Sequence, residues 1–294
     1  MVKGESTAMD KAKLRLIYKI VTGVACVGIV GCLTGVIVTA KQYSDSKKTY
    51  SDLNKMVKVE TAEIANVEVP ERAIAVVEDI ETGTEEEAPV EEEFTIPVSI
   101  DVDFDSLRSI NKDVIGWLVY EPIELSYPVV KDKGDDYYEH YSFDLEKNLA
   151  GAIFLDYICK PDLSGFNSII YGHNMRNGTM FGSLKKILQD QSLIEQDPYF
   201  YIFTEDEAYM YRIVCTYLTN QNSKTYEVNF DYELSDKQAY VDYMKEVGQY
   251  KDEAFFAEPV TEDLRLVTLS TCHGLHSKER TVVHGVLVAQ QKRK

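Results

Sequence analysis

The chain is 294 residues long, 45% hydrophobic and 11% aromatic, with 20 Tyr and 11 Phe; at roughly 100–200 residues per domain it holds one large or two small domains, and end-to-end disorder is excluded. A net charge of −18 excludes an electrostatic footprint for nucleic acid. The charge is unevenly spread: residues 1–59 carry 10 basic and 4 acidic side chains, residues 60–93 carry 13 acids against Arg72 alone, and residues 94–294 carry 20 basic and 32 acidic.

Residues 20–40 (IVTGVACVGIVGCLTGVIVTA) are uncharged and mostly apolar, and a helix of that length spans the ~30 Å hydrocarbon layer of a bilayer. The run reads as a transmembrane anchor. Lys3, Lys11, Lys13, Arg15 and Lys19 precede it, so the positive-inside rule puts residues 1–19 in the cytoplasm and the body of the chain outside. A cleaved leader ending at the small residues 38–40 is the competing reading; its apolar core is usually only ~7–15 residues, which favours a retained anchor. Residues 41–93 turn polar, then acidic, ending in EEEAPVEEE. Such a run repels itself and stays solvated, so the segment reads as an extracellular spacer, with a short juxtamembrane helix over 43–59.

From residue 94 onward, short runs rich in Val, Ile, Tyr and Phe alternate with Gly, Asn, Asp and Pro. This punctuation predicts strands over 114–119, 126–130, 151–155, 168–171, 199–204, 208–217, 264–270 and 281–289. Helical spacing is confined to 105–111, 180–187 and 236–247. Strands dominate, and the expected fold class is an all-β barrel with helical insertions, residues 94–294, behind the anchor and linker. No internal repeat, phosphate-cradling glycine loop, CxxC pair or HExxH is found, and no cofactor is expected.

The chemistry-bearing pattern is C-terminal. Residues 264–288 read LRLVTLSTC, HGLHSKER, TVVHGVLV: an apolar strand ending in Cys272, a polar loop, then Arg280 opening a second apolar strand. A thiol at a strand tip meets solvent yet is held by a rigid sheet, as a nucleophile requires. Residues 168–173 (SIIYGH) form another apolar strand, ending in His173. An imidazole beside the thiol can generate the thiolate and later protonate a departing amine. Arg280, eight residues after Cys272, can fold back toward it and stabilise an oxyanion. Cys272, His273, His276 and His284 also invite a zinc reading, but their spacing matches no common structural site and neighbouring strand residues face opposite ways. Of the other cysteines, Cys26 and Cys32 lie in the apolar run, and Cys159 and Cys215 with Cys272 make an odd set that cannot all pair.

TLSTC (268–272), followed by an arginine and an apolar strand, with YGHNM-x-x-G-x-MF (171–181) upstream, resembles the sortases of Gram-positive bacteria, class B in particular. Residues 113–130 (DVIGWLVYEPIELSYPVV), Asp135-Asp136-Tyr137-Tyr138 and 151–157 (GAIFLDY) extend the similarity over roughly 105–290. The predicted helix over 236–247 lies where class B members carry one. The resemblance implies a closed sortase β-barrel with His173, Cys272 and Arg280 as the catalytic three, and Ser270 and Thr271 as substrate contacts. It implies a transpeptidase that cleaves the C-terminal sorting signal of an exported protein after threonine, through a thioester on Cys272, and passes the acyl group to a peptidoglycan amine. The chain departs from class B in its short Cys272-to-Arg280 separation and in His273, where an acidic residue is common; His273 and His276 are rival imidazoles. Alternatives are a pilin polymerase using a lysine amine, a cysteine peptidase, and a catalytically silent surface-binding module.

Overall fold

The computed structural model describes residues 11–61, 96–228, 232–272 and 278–293. The chain divides into two compact units, Met1–Asp45 and Ser46–Lys294. Helix α1 (Lys11–Asn54) contains the apolar run and is long and apolar enough to cross a membrane. Its side chains from Leu14 to Val38 are exposed, Val24 and Val27 among the most open.

Eleven strands are present among the described residues: β1 (Val57–Thr61), β2 (Val98–Val102), β3 (Val114–Tyr120), β4 (Leu125–Lys131), β5 (Ile153–Leu155), β6 (Asn167–His173), β7 (Tyr199–Phe203), β8 (Glu207–Asn220), β9 (Tyr250–Lys251), β10 (Leu266–Cys272) and β11 (Glu279–Lys292). Interspersed are helices α2 (Phe104–Ile110), α3 (Tyr137–His140), α4 (Lys185–Gln189), α5 (Ser192–Gln196), α6 (Leu234–Val247) and α7 (Glu253–Ala257). The main sheet runs β11-β10-β6-β5-β4-β3-β7-β8, with β9 beyond, and β8 pairs back onto β11 to close an eight-stranded barrel. That closing seam is the longest pairing, from Glu279↔Asn220 to Lys292↔Glu207, with irregularities after His284 and Leu287 that let two long strands coil round the barrel. Strand pairs β4–β5 and β6–β10 are parallel; the others are antiparallel.

Each predicted strand falls within or across an observed one. Aromatics of the barrel strands are buried on both faces of the sheet: Trp117, Tyr201, Tyr211, Tyr217, Phe200 and Phe203 are all fully covered, and Phe200 and its strand neighbour Tyr201 face opposite ways, stacked on Tyr211 and Phe203; each such ring contributes on the order of 1.5–3 kcal/mol of apolar burial. The helix expected over 180–187 is split into a 3-10 turn (Phe181–Leu184) and α4. The reason is local: Gly178 and Met180 both have positive φ, and an Asn174↔Met180 bridge holds the chain in a turn until Phe181.

Residues 46–61, assigned on composition to the spacer, belong to the folded unit. The last turns of α1 bury Ser46, Tyr50 and Leu53, and β1 pairs antiparallel with β2. Three residues at helical spacing suffice to dock an otherwise polar segment. The remaining linker, 62–93, lies outside the described residues.

Candidate active site

Strands β6 and β10 run parallel and in register from Leu266↔Asn167 to Cys272↔His173. Both end there, so the Cys272 and His173 backbones sit side by side, about 4.8 Å apart, at one mouth of the barrel. Gly172 is required next to His173, since a Cβ there would run into Ile153 and the Phe181 ring.

On the other side of β10, β11 pairs antiparallel through Ser270↔Val282. Two residues before Val282, Arg280 donates from Nη1 to the Thr271 carbonyl over a long 3.5 Å, bringing its guanidinium to the end of β10. The guanidinium carbon lies 5.3 Å from the centroid of the Tyr226 ring, a cation–π contact. Arg280 Nε is buried and has no partner among the described residues. Histidine, cysteine and arginine positions thus converge on adjacent strand ends. His273 and His276 lie outside the described residues.

His173 is half-buried, and its Nε2 lies 2.6 Å from the Glu139 carbonyl. A carbonyl only accepts, so Nε2 carries the proton and Nδ1 is the nitrogen left for other traffic. Ser270 and Thr271 are both fully buried. Ser270 Oγ bonds the Tyr226 hydroxyl at 2.8 Å, and Thr271 Oγ1 accepts from the Thr281 amide at 2.9 Å, tying β10 to β11 at the rim.

Cys159 and Cys215 are both buried. Burial pushes their thiols up to about 11 and about 12, so both stay protonated.

Below the rim lies a buried polar chain that the sequence did not disclose. His284, with no exposed surface, sits between Thr268 Oγ1 (2.9 Å from Nδ1) and the Tyr217 hydroxyl (2.8 Å from Nε2). Thr268 donates to Asn167 Oδ1 at 2.7 Å, so it accepts from His284 Nδ1–H, and Nε2 in turn accepts from Tyr217. Asn167 donates to Tyr240 of α6, and Tyr240 to the Thr225 carbonyl, in the 3-10 turn (Lys224–Tyr226) that also carries the ring over Arg280. Burial lowers His284 to about 3, and both its nitrogens are committed, so it supplies no metal ligand. No metal-binding cluster of His, Cys, Asp and Glu occurs among the described residues.

Sequence reasoning missed Tyr226, one of 20 tyrosines with no motif to mark it, and the Glu139 carbonyl, which as a backbone group leaves no residue-type signal.

A family model described as a sortase domain matches residues 119–288. Sortase B of Listeria monocytogenes is 34% identical over 186 residues, covering 63% of this chain and 73% of the relative. Sortase B of Staphylococcus aureus is 29% identical over 175 residues, covering 60% and 69%. In shape the chain is similar to a crystal structure of sortase B from B. anthracis, with a TM-score of 0.61 at 26% identity, covering 86% of this chain and 99% of that one.

Proposed function

This chain belongs to the sortase family of cysteine transpeptidases, with class B relatives, and on that premise we propose that it cleaves a C-terminal sorting signal after threonine and joins the exported protein to a peptidoglycan amine. Residues 1–19 are cytoplasmic in this reading, residues 20–40 span the membrane as part of α1, and the catalytic region lies outside. The observation that carries the reading is the pairing of Cys272 with His173 at the in-register ends of β6 and β10.

The thiolate of Cys272 attacks the threonine carbonyl, forming the C–S bond while the carbonyl oxygen takes up negative charge. Arg280 faces that charge with a cation held over the Tyr226 ring and an Nε–H not engaged by any described residue; a preorganised donor of this kind is worth about 10²–10³ in rate. Collapse breaks the C–N bond, and the leaving amine takes a proton from the His173 imidazolium. With Nε2–H held by the Glu139 carbonyl, the proton moves through Nδ1. An incoming amine then attacks the thioester, gives its proton to Nδ1, and the Cys272 thiolate departs. Ser270 and Thr271, expected as substrate contacts, are fully buried with their hydroxyls spent on Tyr226 and β11, so in this reading they act indirectly, by holding Tyr226 and Arg280 in place.

The test is peptide cleavage by the full chain in detergent, using a library of sorting-type peptides with either a peptidoglycan stem amine or a pilin-type lysine as acceptor. An acyl adduct on Cys272 by mass spectrometry, and ligation to the stem amine, is the expected result; ligation to lysine alone assigns pilin polymerisation instead. A Cys272→Ala variant that still cleaves overturns the reading, as does a thiol reagent that modifies Cys159 or Cys215 as fast as Cys272.

A further inference from the structure

The polar segment 46–54 is an unexpected neighbour of the candidate site. It is a helix face with Tyr50 5% and Leu53 3% exposed, in a stretch whose composition alone called for solvent. It also makes directional bonds. Thr49 donates to Asp144 at 2.9 Å, Asn54 exchanges hydrogen bonds with Ser126, and the Tyr50 ring meets Tyr127 edge-on at 5.3 Å. The Tyr50 hydroxyl donates to the Gly151 carbonyl at 2.7 Å in a buried environment.

Gly151 leads from that bond to the imidazole. Its φ is +55°, and a Cβ built on it would lie 2.5 Å from the Tyr138 carbonyl, 2.9 Å from His173 Cδ2 and 3.0 Å from the Glu139 carbonyl. The backbone at Gly151 is therefore pressed against both the His173 ring and the carbonyl that holds Nε2. Ala152 donates to the Tyr138 carbonyl at 2.9 Å, locking segment 148–152 alongside α3. On its other side, Gly151 is held by Tyr50. Burial raises the Tyr50 phenol well above its usual range, so it remains a neutral donor throughout the working pH range.

We propose that Tyr50 is a positioning residue for the reaction: by fixing the Gly151 carbonyl it sets the orientation of the His173 imidazole, making the foot of the N-terminal helix a functional part of the active site. This rests on the reading of His173 as the general acid and base. Without the hydroxyl, the Gly151 carbonyl loses its buried donor, segment 148–152 relaxes, and the ring loses the backing of its Cδ2 edge. A sub-ångström shift of an acid–base group lowers turnover without weakening the hold on substrate.

The experiment uses the full chain in detergent and compares wild type with Tyr50→Phe, Leu53→Ala and His173→Ala. Kcat, KM, the pH–rate profile, Tm and the His173 imidazole NMR resonances are read for each. Tyr50→Phe is expected to lower kcat about tenfold with KM within about twofold, to displace the His173 limb of the pH profile and to shift its ring resonances. Leu53→Ala removes more packing from the same helix face; it is expected to lower Tm further yet keep the wild-type pH profile. Wild-type kcat and ring resonances in Tyr50→Phe overturn the proposal, as does the same kcat loss and displaced profile in Leu53→Ala, which would reduce Tyr50 to a docking contact. Full activity in His173→Ala overturns the functional reading instead, whatever Tyr50→Phe does.

Discussion

The rim of the candidate site and the cradle behind its imidazole are built on different principles. At the rim, Cys272, His173 and Arg280 sit on the ends of three neighbouring strands, β10, β6 and β11, whose ladders fix their relative positions. The cradle is made of pieces with little regular structure of their own: the carbonyl of Glu139 in the four-residue α3, Gly151 in a left-handed conformation, and the foot of α1. A sheet positions residues through many cooperative hydrogen bonds, whereas the cradle relies on single contacts. Changes at the rim should therefore remove chemistry and leave the fold, while changes in the cradle should cost some of each.

The sharpest test is Cys272→Ala, for which we expect loss of all acyl adduct and a cleavage rate down by at least about 10³-fold, with an unchanged Tm. Arg280→Lys comes next. Lysine keeps the charge but lacks the planar fork that lies over Tyr226, and kcat is expected to fall about 10²-fold in steady-state kinetics. A milder loss would mean that charge alone, rather than its geometry, acts at the rim.

In the cradle, Gly151→Ala forces a Cβ to 2.5 Å from the Tyr138 carbonyl at a φ of +55°. We expect destabilisation of about 1–3 kcal/mol by urea titration, together with about a tenfold fall in kcat. Activity lost with no change in stability would erase the distinction between the two regions.

The smallest effect on activity is expected for His284, which belongs to the layer beneath the rim. Its folded-state value of about 3 lies below the ordinary 6.5, so the unfolded chain binds this proton more readily. Its contribution to stability is complete above pH 6.5 and is lost as pH falls toward 3, at up to about 1.4 kcal/mol per pH unit. Urea midpoints between pH 7 and pH 4 should show that slope, and His284→Asn should flatten it while leaving activity at pH 7 nearly intact. An unchanged slope would assign the acid sensitivity to other groups.

The rim was far more legible in sequence than the cradle. LVTLSTC and SIIYGH announce their strands through β-branched residues, and chemistry-bearing residues at strand ends stand out against apolar neighbours. The parallel pairing that sets Cys272 beside His173 was not legible, because register between strands distant in the chain is decided by the sheet as a whole. Strand β2 alternates buried and exposed residues and is readable in hindsight, but it follows directly on an acidic run. The helix expected over 43–59 is present as the end of α1, but its docking was not legible, because average polarity cannot reveal that Tyr50 and Leu53 share a face with something to pack against.

Taken alone, the amino-acid sequence determined the apolar run of α1, the strand-rich texture of the body and the residue types of the proposed reaction, since these depend on composition and short-range pattern. Tertiary structure alone decided the barrel's closure through β8 and β11, the buried chain around His284 and the support of His173 by Glu139, Gly151 and Tyr50. The physical reason is the same in each case: a backbone carbonyl or a buried hydroxyl acquires its role only from the group that folding brings within hydrogen-bonding distance.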